Sequence, residues 1–202
     1  MNYKNAYVIT GNIGCGKSTV SNLLMLHGFS VIDADKIAHE ILNQNATNIQ
    51  NLFGKEFIIG GLVDRKRLGE LVFNDTAKLR ELESLLHPQI KAEILAKAAK
   101  FEELNFPYFI DIPLFYEKNS YDELTKVVLV YAPNDILLER VMKRDELSLN
   151  SAKSRLDKQM DIELKRQKAD FIIDNSGDLK NLNTQIESLI KTIKENNATL
   201  KI

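Results

Sequence analysis

Short apolar runs alternate along this chain with longer stretches in which apolar residues recur every three or four positions. Ala6-Tyr7-Val8-Ile9-Thr10 is a continuous apolar run and reads as a buried strand. Thr19 to Leu26 places Val20, Leu23 and Leu24 on one helical face, and Gly28 suits the end of that helix. Further strand-like runs are Phe29 to Asp33, Tyr108 to Ile112 (stopped by Pro113), Lys126 to Tyr131 and Phe171 to Asp174. The turn residues Asn175-Ser176-Gly177 close the last of them. A helix from Leu179 to Lys194 buries Leu182, Ile186, Leu189, Ile190 and Ile193, and the polar tail from Lys194 to Ile202 is expected to fray. Strands alternating with helices predict a parallel sheet covered on both faces.

Two links are longer than a single crossover helix needs. The stretch from about Lys36 to Leu104 is mostly helical, with Gly60-Gly61 as a turn, and Pro133 to Ala169 is dense in Arg and Lys. Excursions of this size are expected to be functional, as a second-substrate region and a closing lid. The organisation expected is a core of 1–34, 105–132 and 170–202, an acceptor insertion of 35–104 and a lid region of 133–169.

Composition narrows the class. With 202 residues, 44% hydrophobic and 27% charged, the chain can bury a real core. A formal net charge of -1 gives no global pull toward nucleic acid or an anionic membrane. One cysteine cannot form an internal disulfide, and no signal-peptide or membrane-spanning run is evident, so a cytoplasmic enzyme is expected. His27, His39 and His87 lack metal-ligand spacing, which argues against structural zinc.

Gly11-Asn12-Ile13-Gly14-Cys15-Gly16-Lys17-Ser18 matches the phosphate-binding pattern G-x-x-x-x-G-K-[ST], between a strand and a helix as that motif requires. The glycines let successive N–H groups turn inward on an anion, and the new helix, opening through Thr19, offers its positive end to the same anion. Lys17 is expected to reach the β- and γ-phosphates of ATP, and Ser18 to hold Mg²⁺.

Asp33-Ala34-Asp35 closes the second strand, on the edge where open α/β sheets bind ligands. Asp35 is the candidate general base for an attacking hydroxyl, against the plainer role of helix cap. Asp111 in the third strand is the candidate for steadying the water shell of Mg²⁺. Arg140 and Arg144 lie four apart on a predicted helix, and guanidinium groups there could stabilise a transferring phosphoryl group. Arg155, Lys158, Lys165, Arg166 and Lys168 read more simply as a solvated surface. Asn175 and Gly177 could meet adenine through backbone groups, although an ordinary turn is the simpler reading. Cys15, at a helix start inside the phosphate cradle, is expected to be oxidation-sensitive and shielded by nucleotide.

Taken in order, these segments resemble the dephospho-coenzyme A kinases. The shared markers are the phosphate loop, Val31 to Asp35, Leu62 to Arg65, Val72-Phe73, Leu86-His87-Pro88, Asp111 to Leu114 with Glu117, Arg140 to Arg144, Arg155 with Gln159, and Ala169 to Gly177. The resemblance implies a phosphate-loop NTPase fold of the α/β class: a five-stranded parallel sheet flanked by helices, a helical acceptor-binding insertion and a basic helical lid. It implies transfer of the γ-phosphate of ATP to the ribose 3′-hydroxyl of dephospho-coenzyme A. A monomer or weak homo-oligomer is expected, without nucleic-acid or membrane partners given the small net charge. Asp35 matches the family's base and Arg144 a lid cation; Asp33, Arg80, His87, Pro113 and Leu114 are candidate substrate contacts. The chain departs from the family at Asn12, where Gly is usual, and at Cys15, where Ser is usual. A shikimate-type kinase is the alternative, with a similar phosphate loop and Asp-x-Asp but no need for so large an insertion. A regulatory GTP-binding protein is disfavoured, since no Asn-Lys-x-Asp guanine motif is found.

Overall fold

The computed structural model describes residues 3–196, so the tail from 197 onward lies outside the described residues, and 194–196 belong to the final helix. In chain order the elements are β1 (Ala6–Thr10), α1 (Lys17–Leu26), β2 (Val31–Asp33), α2 (Ala34–Gln44), α3 (Ala46–Phe53), β3 (Ile58–Ile59), β4 (Leu62–Val63), α4 (Arg65–Asn74) and α5 (Thr76–Glu103). They continue with β5 (Tyr108–Asp111), α6 (Phe115–Lys118), β6 (Val127–Tyr131), α7 (Asn134–Asp145), α8 (Leu149–Leu156), α9 (Ile162–Lys168), β7 (Phe171–Asp174) and α10 (Leu179–Asn196).

The described chain forms two compact units, one built from the residues up to Asp33 and from Ala98 onward, the other from Ala34–Lys97. The first holds a five-stranded parallel sheet in the order β2-β5-β1-β6-β7. β1 is central because every one of its residues is buried and none carries a charge. Register sets Asp33 beside Asp111 and Ile9 beside Asp111, so two acidic residues meet at the carboxyl edge.

β2 is shorter than the apolar run suggests. The Phe29 N–H returns to the Leu24 carbonyl and the Gly28 N–H to that of Met25, closing α1, so the ladder starts at the Ser30 carbonyl, which accepts from Phe109. Gly28 sits at φ +88°, as a residue past a helix end often does.

Leu137 and Val141 of α7, Ala152 and Leu156 of α8, and Ile162 of α9 are buried in one core with the sheet, α1 and α10. Burying each large aliphatic side chain is worth about 1.5–3 kcal/mol. The segment 133–169 is therefore packed into the same unit as the sheet. Ser148 caps α8, accepting from Ser151, and Asp161 caps α9, accepting from Glu163 and Leu164.

In the second unit α2 and α3 bury Ile37, Ile41, Ile49 and Phe53, and β3 and β4 form a small antiparallel hairpin. Its turn is Gly60-Gly61, with φ +58° and +81°, the conformation a two-residue hairpin needs. The sequence pattern shows the turn but not the two strands, which are only two residues each. α5 is a single helix of 28 residues running through Pro88, and it crosses from this unit into the first. That is why the unit ends at Lys97 rather than near Leu104: Glu102, in the last turn, accepts from the Asn5 backbone (3.1 Å) and from the Tyr108 hydroxyl (3.1 Å). Among the described residues no helix is long and apolar enough to cross a membrane.

Candidate active site

The phosphate loop joins β1 to α1 and is shaped by its glycines. Gly16 precedes α1 at φ +87°, where a side chain is strained. A Cβ on Gly16 would also lie 2.2 Å from Asn175 Nδ2. Gly14, at φ +86°, passes 2.9 Å from the Leu137 carbonyl when a Cβ is added, so the loop lies close against α7. No side chain caps α1 and no acidic residue occupies its first turn. The Thr19 and Val20 N–H groups return to the Gly16 carbonyl, and Ser18 is exposed at the helix start.

Lys17 leaves this helix start toward the sheet. Its Nζ lies 2.7 Å from Asp111 Oδ1, and Ser21 Oγ donates to Asp111 Oδ2 at 3.1 Å. Burial pushes the Asp111 carboxyl above its ordinary value, against the pull of the Lys17 ammonium and the Ser21 hydroxyl. Asp111, expected beside the metal, is here the partner of the phosphate-loop lysine. Among the described residues no group of three or more His, Cys, Asp or Glu could hold a metal ion.

Cys15 departs from expectation. It is 1% exposed, and burial pushes its thiol up to about 11 despite the nearby Lys17. Burial thus works against the reactivity expected of a thiol at a helix start. Its backbone is occupied as well: the N–H donates to the Asn12 carbonyl, and its own carbonyl accepts from Asn175 Nδ2 at 2.8 Å.

Arg140 and Arg144 share α7 but have different partners. Arg140 Nη2 donates to the Asn175 carbonyl at 2.8 Å, and its Nη1 is buried without a hydrogen bond. Arg144 grips Asp145 with Nε at 2.7 Å and Nη2 at 3.0 Å, and Arg155 adds a third bond to the same carboxylate. The guanidinium beside Asp145 holds that carboxyl below the usual range. Asn175 also donates its N–H to the Tyr131 carbonyl. Both backbone groups of Asn175 are thus engaged inside the protein, and its side chain braces the loop.

The link between α8 and α9 lies directly on the phosphate loop. Gln159 Oε1 accepts the Ile13 N–H at 2.8 Å, and Asn12 Nδ2 donates to the Met160 carbonyl at 3.0 Å. Beside them a cavity of about 300 Å³ is lined by Asn12, Asn134, Leu138, Lys153, Gln159 and Asp161. Glu117 Oε1 accepts the Met160 N–H at 3.0 Å and lies 2.7 Å from Lys165 Nζ. Lys165 is fully buried, so it is not part of a solvated surface. The helical period carries the signal: Asp161 caps α9, and Ile162 and Lys165, one turn apart, both face inward.

The remaining candidates are placed as follows. Asp33 ends β2, and Asp35 is exposed within the first turn of α2, inside the helix rather than at its cap. Pro113 follows β5, its carbonyl accepting the Thr10 hydroxyl at 3.1 Å, and Leu114 is partly exposed after it. Arg80 and His87 lie two turns apart on one face of α5; Arg80 is exposed and His87 is 4.0 Å from Glu83.

A family model for dephospho-CoA kinase matches residues 7–181. The chain belongs to the dephospho-CoA kinase family. It is 48% identical over 191 residues to the dephospho-CoA kinase of Wolinella succinogenes, covering 94% of this chain and 95% of that one. It is 45% identical over 193 residues to that of Helicobacter pylori strain 26695, covering 94% and 98%. The solved dephospho-CoA kinase from Campylobacter jejuni superimposes with a TM-score of 0.77 at 41% identity, over 96% of this chain and 98% of that one. Family membership thus favours the dephospho-CoA kinase reading over a shikimate-type kinase.

Proposed function

We propose that this chain transfers the γ-phosphoryl group of ATP to the ribose 3′-hydroxyl of dephospho-coenzyme A, giving coenzyme A and ADP. The observation that carries the proposal is a phosphate loop turned by Gly14 and Gly16 at positive φ, with Lys17 opening an α1 that no side chain caps, in a member of this family. The triphosphate lies along that loop, and Lys17 exchanges its Asp111 partner for β- and γ-phosphate oxygens. Asp35 accepts the proton of the attacking hydroxyl, and Asp33 orients the acceptor. Arg140 and Arg144 meet the charge that spreads over the transferring group, Arg144 after release from Asp145. Arg80, His87, Pro113 and Leu114 hold the acceptor, and Gly177 borders the adenine.

The exposed Ser18 hydroxyl suits Mg²⁺ held chiefly by phosphate oxygens, with Ser18 as the protein ligand and Asp111 reaching it through water. When bound, the ion neutralises charge on the β- and γ-phosphates. The chain acts without nucleic acid or membrane, in the cytoplasm, as a monomer or weak homo-oligomer. ADP release is measured with dephospho-coenzyme A, with adenosine and shikimate as controls. Turnover confined to dephospho-coenzyme A supports the reading, and equal or greater turnover of shikimate rejects it.

A further inference from the structure

We propose that Gln159 is a positioning residue for the phosphate loop, held in place by the buried Glu117–Lys165 pair. This rests on the kinase reading above, and it deepens it by assigning three residues outside the loop to ATP binding.

The argument begins with one peptide plane. The Asn12 carbonyl accepts the Cys15 N–H at 3.0 Å, and the Ile13 N–H of the same plane donates to Gln159 Oε1 at 2.8 Å. The plane is therefore pinned on both sides. The next residue is Gly14, which has no Cβ to resist rotation. Without Gln159 the plane can turn, and the N–H groups that follow lose their common direction. Asn12 provides a second tie through its Nδ2 to the Met160 carbonyl.

Gln159 and Met160 lie between α8 and α9, so no helix of their own fixes them. Glu117 does, by accepting the Met160 N–H while pairing with Lys165. Lys165 is fully buried, so water cannot stand in for Glu117, and the second Glu117 oxygen is buried without a hydrogen bond. A buried pair of this kind returns little net stability, because desolvation offsets its attraction. Its contribution is placement: it sets where the 157–161 link sits, and the link sets the loop.

The test uses the full chain. Gln159 is partly exposed and borders the cavity, so Gln159→Ala keeps the fold while water replaces its contact with Ile13. The KM for ATP should rise about tenfold, the effect of one hydrogen bond of ordinary net strength. The KM for dephospho-coenzyme A and kcat should stay close to wild type. The double variant Glu117→Leu, Lys165→Met, which removes the acceptor of the Met160 N–H together with the buried charge, should show the same ATP-selective loss with a melting temperature near wild type. Wild-type turnover combined with an unchanged ATP KM in Gln159→Ala, or with equal losses for both substrates, overturns the proposal. If wild type transfers no phosphoryl group at all, the functional reading fails separately. Amide hydrogen exchange at Ile13 then decides the positioning claim: faster exchange in Gln159→Ala supports it, and an unchanged rate overturns it.

Discussion

Removing either partner of the Lys17–Asp111 pair should cost more than removing both. The charges lie 2.7 Å apart with side chains 15% and 12% exposed, which corresponds to a gross attraction of about 6 kcal/mol at an effective dielectric constant of about 20. Against this stands desolvation, and the direction of the Asp111 shift shows which effect wins. Its carboxyl is raised although an ammonium and a hydroxyl both lower it, so burial exceeds what Lys17 and Ser21 return. Asp111→Leu leaves an unpaired ammonium and should cost about 3–5 kcal/mol. Lys17→Met should cost less, because the isolated carboxyl can take up a proton. The double variant Lys17→Met, Asp111→Leu should lie within about 1 kcal/mol of wild type. The sign with pH follows from the raised folded value. In Lys17→Met the carboxyl's contribution is fully present below its unfolded pKa and is lost as pH rises through the folded one, so this variant should be more stable at pH 5 than at pH 8, relative to wild type. Urea unfolding followed by far-UV circular dichroism, without nucleotide, measures all four proteins. A double variant whose loss equals the sum of the two single losses would refute the reasoning.

Cys15, with its thiol at about 11, should resist iodoacetamide at pH 8 equally with and without ATP, and react only in urea; labelling of the native protein at the rate of a free thiol contradicts the burial argument. As pH rises from the ordinary 9.0 to about 11 the unfolded thiol ionises first, so this group should withdraw about 3 kcal/mol of stability over that window. Gly16→Ala, at φ +87° and against Asn175 Nδ2, should cost about 2–3 kcal/mol of stability and weaken ATP binding; an unchanged melting temperature sinks the idea. Asp35→Ala should lower kcat by about 10²–10⁴-fold while leaving the fold intact, since the side chain is exposed; a near-normal rate rejects Asp35 as the base.

The order of strands and helices, the phosphate loop and the general position of the carboxylates were legible in the chain because each rests on local rules. An apolar run such as Tyr7-Val8-Ile9 must be buried wherever it goes, and Gly14, Gly16 and Lys17 carry their conformational and charge preferences with them. Strand edges were less legible, since Phe29 is claimed by the end of α1 rather than by the ladder. The pairings that hold the site were not legible at all. Lys17 meets Asp111 across the sheet, Ile13 meets Gln159 across 146 residues, and Cys15 meets Asn175 across 160. Such distant contacts set Asn175 against the loop and Lys165 against Glu117, and burial raises the Cys15 thiol. Burial and partner choice depend on which distant residues the fold brings together, and desolvation, which depends steeply on that surrounding, sets the chemistry of each group.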